Sequence, residues 1–210
     1  MLGSYLYEVR SLMDLKRYPT KFMHKKRSVA EHSWFVSMVA HGLATWEKYK
    51  FGSAINIEKV LFLAQNHDVV ESFTGDIIST LKENINLKQE LEKIEETIYR
   101  TKIITSLPQS WAKDYMMIHE EMSQLTTKES RLVKAADLLD RVFECMEEIN
   151  LSNKVHFEDI LICDLTKLYH MNIMSVNYFL KYSMKDIDAY KYIPKEIQKE
   201  LENFDFSSYF

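Results

Sequence analysis

The sequence predicts an all-α protein, on three observations. Only 4 Gly and 3 Pro occur in 210 residues, while Leu, Lys, Glu, Ile and Met are plentiful, a composition that favours helices over turn-rich β structure. Apolar residues recur at helical spacing along several segments, and nothing convincingly alternates with period two. At two points a Ser or Thr stands three residues before a Glu where such a stripe begins, the pattern of a helix N-terminal capping box.

The first helix is expected at roughly residues 3–16, with Leu6, Val9 and Met13 on one face. The second opens at SVAE, with Ser28 as N-cap and Glu31 completing the box. Its stripe is Val29, Val36, Val39, Ala40 and Leu43, and His32 falls in a gap of that stripe, pointing inward. The third opens after Asn56 and runs through VLFLAQNHDVVES. Val60, Ala64, His67 and Glu71 fall on one face of it, Asp68 sits beside them, and Thr74-Gly75-Asp76 ends it as a turn. The fourth opens at TTKE, a box from Thr126 to Glu129, and buries Leu132, Ala136, Leu139 and Phe143. Asp137 lies inside that apolar run, where an unpartnered carboxylate would be costly. Segments 87–105, 109–124, 156–181 and 194–204 also read as helical, with charges that look like solvated faces.

Length and composition limit the function classes. With 46% hydrophobic residues the chain supports one sizeable core, so a single domain over residues 1–210 is expected. A net charge of −4 gives no reason to expect nucleic-acid or anionic-membrane binding. MLGSYLYEVRSLM carries Glu8 and Arg10 and does not read as a signal peptide, and no apolar run approaches membrane-spanning length, so a cytoplasmic protein is expected. Cys145 and Cys163 lack CxxC spacing and read as free thiols in buried, structural positions.

Three helices thus aim ionisable groups inward: His32, then His67 with Asp68, then Asp137. Two imidazoles and two carboxylates suit one divalent metal such as Mn, Fe, Co, Mg or Zn. An adjacent His-Asp pair does not share a helix face, but at a helix end both can reach one ion.

The order AEHS, NHD, KAAD resembles the HD-domain metal-dependent phosphohydrolases. The fuller run KRYP, SVAEHSWFVSMVAHGLA, LAQNHDVVESFTGD and RLVKAAD is similar to the bacterial 5′-deoxynucleotidase branch, over about residues 10–145, with C-terminal helices at 150–204 outside the motifs. The resemblance implies an HD-domain helical bundle in which His32, His67, Asp68 and Asp137 bind the metal. It implies that Glu71 lies next to an activated water and that Asp76 helps organise that water or the sugar. Arg17 is implied to grip the substrate phosphate, and Lys82 is a candidate second phosphate contact. Tyr18 stands where the deoxynucleotidases commonly have Trp at the sugar pocket, which leaves sugar selectivity open. The reaction implied is phosphate removal from (deoxy)nucleoside 5′-monophosphates, and a homodimer is expected, with Tyr178, Phe179 and Tyr182 available for an interface.

Plainer roles stand beside these. His32 could be a hydrogen-bonded core histidine, Asp137 could pair with Arg141 one turn on, Glu71 could be a helix-end charge and Asp76 a turn residue. Arg17 and Lys21 could solvate a helix end, and HKKR at 24–27 reads as a solvated loop. Two further functions remain open from sequence: hydrolysis of nucleoside di- or triphosphates at the same site, and a non-catalytic nucleotide-binding module.

Overall fold

Helices account for nearly all the regular structure of residues 2–76 and 85–207, the part of the chain that the computed structural model describes. No strand occurs among those residues; an isolated antiparallel bridge joins Lys16 and Ser28. No helix among them is long and apolar enough to cross a membrane.

α1 (Leu2–Val9) tightens into a 3-10 turn at Arg10–Met13. Its expected inner face is rotated. Tyr5 and Leu12 are buried, while Leu6 and Met13 stand exposed. Tyr5 meets Tyr115 edge-on with ring centroids 5.8 Å apart, and an aromatic ring removes more apolar area from water than the aliphatic face would.

α2 (Val29–Tyr49) begins at the expected box. The Ser28 hydroxyl accepts the Glu31 amide, and the Glu31 carboxylate accepts the Ser28 amide at 2.6 Å. α3 (Ile57–Asn66) is capped by Asn56, whose Oδ1 accepts the Lys59 amide. It does not continue to Glu71 as expected. Asn66 Nδ2 donates to Phe62 O and His67 Nδ1 to Ala64 O, so side chains satisfy two of the last carbonyls. Beyond them the backbone closes with i→i+3 bonds, Val69 to Asn66 and Glu71 to Asp68. α4 (Glu71–Thr74) follows, and Gly75 at φ 73 ends it in the left-handed region.

α5 (Ile85–Ile98) runs through a π-turn at Tyr99–Ile103 into Ile104–Ser106, and α6 (Gln109–Gln124) has the expected bounds. α7 (Lys128–Asn150) starts one residue later than the sequence pattern suggests. Thr127 and Ser130 form the box, because Glu129 instead accepts the Asn56 amide at the start of α3. α8 (Lys154–His170) was expected to reach 181 but stops at a kink. Asn172 takes φ 53, Arg131 donates to Met171 O, and Ser175 N binds the buried Glu47 carboxylate at 2.7 Å to start α9 (Met174–Tyr178). α9 continues as a π-turn, Phe179–Ser183, and Met184–Asp186, and α10 (Lys195–Asn203) closes the order.

α7 is the central helix, packed against α2, α3 and α8. Leu132, Val133, Ala135, Ala136, Leu139 and Val142 are all buried, on more than one of its faces, as a helix surrounded by others requires. Tyr178 packs on Trp46, Phe51 and Phe206, and Phe179 on Phe143, so these rings serve the chain's own core. Tyr182 is 38% exposed. Cys145 is buried as expected; Cys163 faces outward on α8 and is exposed.

Candidate functional site

Two elements beside α7, and α7 itself, deliver the ionisable cluster. α2 contributes His32, fully buried. The tightened turn after α3 contributes His67 and Asp68. α7 contributes Asp137. The chain leaves the α-helix at His67 and closes with i→i+3 bonds there, and in that turn His67 Nε2 and Asp68 Oδ2 reach the same point, 3.2 Å apart. Glu71 therefore does not share the α3 face with His67; it opens α4 and is 6% exposed.

Donor atoms converge closely. His32 Nε2, His67 Nε2 and Asp68 Oδ2 lie 3.2 Å from one another, and Asp137 Oδ1 lies 3.5 Å from His32 Nε2. Ligands about 2.1 Å from one ion sit about 3.0 Å apart in octahedral and about 3.4 Å apart in tetrahedral geometry, so the spacing is that of a metal's ligand set. His32, His67 and Asp68 satisfy this mutually, with Asp137 joining from the His32 side. Each imidazole has its other nitrogen occupied: His67 Nδ1–H donates to Ala64 O at 2.7 Å, and His32 Nδ1–H to Asp140 Oδ2 at 2.5 Å. Both Nε2 lone pairs are thereby aimed at the cluster. The donor set fits a divalent cation.

Without a cation the cluster favours positive charge on its own groups, and a metal ion there would take the place of the His32 proton. Burial, and the nearby Arg17 charge, work against a positive His32, yet the Asp140 and Asp68 carboxylates outweigh both and hold its pKa up at about 10. Burial pushes Asp68 and Asp137 up. For Asp68 the two histidines reverse this, and for Asp137 Lys134 and the histidines do, so both lie well below the usual carboxylate range. Lys134 Nζ sits 2.7 Å from Asp137 Oδ2, which leaves Oδ1 toward the cluster. Arg141 does not pair with Asp137. It makes a two-pronged ion pair with buried Asp164 of α8.

The cluster lies on the wall of a cavity of ≈ 340 Å³. Arg17, Tyr18, Glu71 and Asp76 line it beside His67, Asp68 and Asp137, so the structure brings most of the expected site together. Lys82 lies outside the described residues. Arg17 NH2 and the Tyr18 hydroxyl both donate to Glu144 Oε2, each at 3.3 Å. Tyr18 holds a left-handed φ of 53, and its amide donates to Asp76 Oδ2 at 2.6 Å. Asp76 thus secures the backbone of the arginine loop. The far wall comes from α5 and α6, where the His119 ring stacks on Tyr99 at 4.5 Å and burial lowers the His119 pKa.

Sequence reasoning missed Asp140 and Glu144. The signal was present: Asp137, Asp140, Glu144 and Glu148 stand at i, i+3, i+7 and i+11, which is one face of the helix. Three of them are buried and each holds part of the 17–32 segment: Asp140 binds His32, Glu144 binds Arg17 and Tyr18, and Glu148 accepts the His24 and Lys25 amides. The 24–26 side chains are exposed, as a solvated loop requires.

Known proteins resemble this chain over most of its length. Residues 4–187 match the family model of the YfbR-like 5′-deoxynucleotidases. A 5′-deoxynucleotidase of Photorhabdus laumondii is 34% identical over 182 residues, 86% of this chain and 90% of that protein. One of Pectobacterium atrosepticum is 35% identical over 140 residues, 66% of this chain and 69% of the relative. Among solved structures, an HD-domain phosphohydrolase from Listeria innocua superposes with a TM-score of 0.78 at 27% identity, covering 95% of this chain and 97% of that one.

Proposed function

The chain belongs to the YfbR-like 5′-deoxynucleotidase family and is a metal-dependent phosphohydrolase of nucleoside 5′-monophosphates; from that premise we propose that its cavity takes the 2′-deoxynucleotides and that His32, His67, Asp68 and Asp137 hold the metal. The observation that carries the assignment is the convergence of two imidazole and two carboxylate donors within 3.2–3.5 Å on the wall of a cavity that also holds a buried arginine.

When bound there, a divalent ion such as Mn, Co, Mg, Fe or Zn supplies Lewis-acid charge to a phosphoryl oxygen and makes water more acidic. Arg17 offers a planar, permanently charged fork to the phosphate oxygens. Glu71 accepts the proton of the attacking water. Asp76 acts through the Tyr18 amide, keeping Arg17 and Tyr18 in register with the phosphate. The ≈ 340 Å³ volume suits a mononucleotide. The enzyme acts as one domain in the cytoplasm and assembles as a homodimer, which light scattering on the eluted protein tests directly.

The deciding assay is phosphate release from nucleoside mono-, di- and triphosphates after chelation and reloading with each of Mn, Co, Mg and Zn. Release from monophosphates, deoxy before ribo, and its loss in Asp68→Ala and Glu71→Ala, is the expected result. Turnover of triphosphates with monophosphates untouched would overturn the substrate assignment, and full activity in Asp68→Ala would overturn the site.

A further inference from the structure

Asp140 lies behind His32, outside the cavity lining, and is fully buried. Its Oδ2 takes the His32 Nδ1–H at 2.5 Å, and its Oδ1 lies 3.9 Å from Arg27 NH1. Arg27 reaches on to Glu147 at 2.7 Å. We propose that Asp140 is a positioning residue of the metal centre, setting its affinity for a divalent cation through His32. This rests on the assignment of His32 as a ligand.

A neutral imidazole carries one lone pair, on whichever nitrogen lacks the proton, and its ring can turn about the Cβ–Cγ bond. An acceptor at Nδ1 fixes both the tautomer and the ring plane. The two histidines here have different acceptors. His67 gives its proton to a neutral carbonyl, Ala64 O, whereas His32 gives it to a carboxylate. A charged acceptor polarises the ring further and makes Nε2 a stronger donor. Full burial leaves this bond without competition from water. Asp140 touches no cavity surface, and its one hydrogen bond to a residue of the cluster is the bond to His32. The purely architectural reading gives Asp140 the task of anchoring Arg27 and the loop before α2. At 3.9 Å that contact is long, and Glu147 holds the same guanidinium at 2.7 Å.

The test is titration of the chelated full-length protein with Mn2+ by calorimetry, with thermal melts of the metal-free variants alongside. Asp140→Asn keeps the shape and removes the charge. It is expected to weaken Mn2+ binding about 10- to 100-fold, with KM for nucleotide at saturating Mn2+ within about twofold of the parent. Should Asp140→Asn fail to fold, Asp140→Ser is smaller, fits the same space and carries the same expectation. His32→Ala is expected to abolish tight binding. Parent-like Mn2+ affinity in Asp140→Asn or Asp140→Ser, whatever the melting temperature, overturns the proposal while leaving the ligand assignment intact. Parent-like affinity in His32→Ala shows that His32 is no ligand and removes the assignment and the proposal together.

Discussion

Each imidazole of the cluster has one nitrogen committed to an acceptor and one turned to the other donors. The same economy governs Arg17 on the cavity wall. Arg17 is buried beside Glu144, and burial alone would disfavour its charge; the Glu144 carboxylate reverses that and raises its pKa. Burial in turn raises Glu144, with Arg17 acting against it. Removing Glu144 therefore releases a buried cation rather than deleting one contact. Arg17→Ala is expected to raise KM for nucleotide at least tenfold, and Glu144→Gln to raise it less. Because both act through one guanidinium, the double variant should resemble Arg17→Ala, with a coupling of about 0.5–3 kcal/mol in a double-mutant cycle. Additive effects would separate Glu144 from Arg17.

At the scale of elements, the segment from Arg17 to His32 has little regular structure of its own before α2 and is held instead by one face of α7. Glu148 is the outermost of these holds. Burial pushes its carboxyl up, but hydrogen bonds from Asn153 Nδ2 and the His24 and Lys25 amides outweigh that and leave its pKa below the ordinary glutamate value. A depressed carboxylate contributes stability that is complete above its unfolded pKa, about 4.3, and is lost as pH falls through the lower folded value. The parent should lose stability over that acid window, and Glu148→Gln should show a shallower dependence there in denaturant melts. The element-level surprise is the end of α3. Its apolar stripe runs smoothly into HDVVES, and periodicity has no term for side chains that satisfy helix carbonyls, as Asn66 and His67 do.

At the scale of the molecule, the C-terminal part is fastened by aromatic packing far from the cluster. Phe206 is 1% exposed and meets Phe51, Tyr178 and Tyr182, while Lys181 donates to the carbonyls of Glu202 and Phe204. Phe206→Ala is expected to cost about 3–5 kcal/mol of stability, read as a lowered Tm, with kcat at moderate temperature unchanged. A fall in kcat without a fall in Tm would tie this end of the chain to the site.

The helical class, the bounds of α6, the capping box of α2 and the identity of the cluster were all legible in the residues. They depend on spacing of 3.6 residues, on local capping chemistry and on the order of the HD motif, which the chain carries along its own length. Three things were decided only by the packed structure. The inner face of α1 follows from where Tyr5 meets Tyr115. The break of α3 follows from which donors reach its last carbonyls. The roles of Asp140 and Glu144 follow from what lies across from α7. An acid in an apolar run announces that it needs a partner, because an unpartnered buried carboxylate is costly. Which partner it finds, 108 residues away for Asp140 and 127 for Glu144, is fixed only when α2 and the loop before it settle against α7.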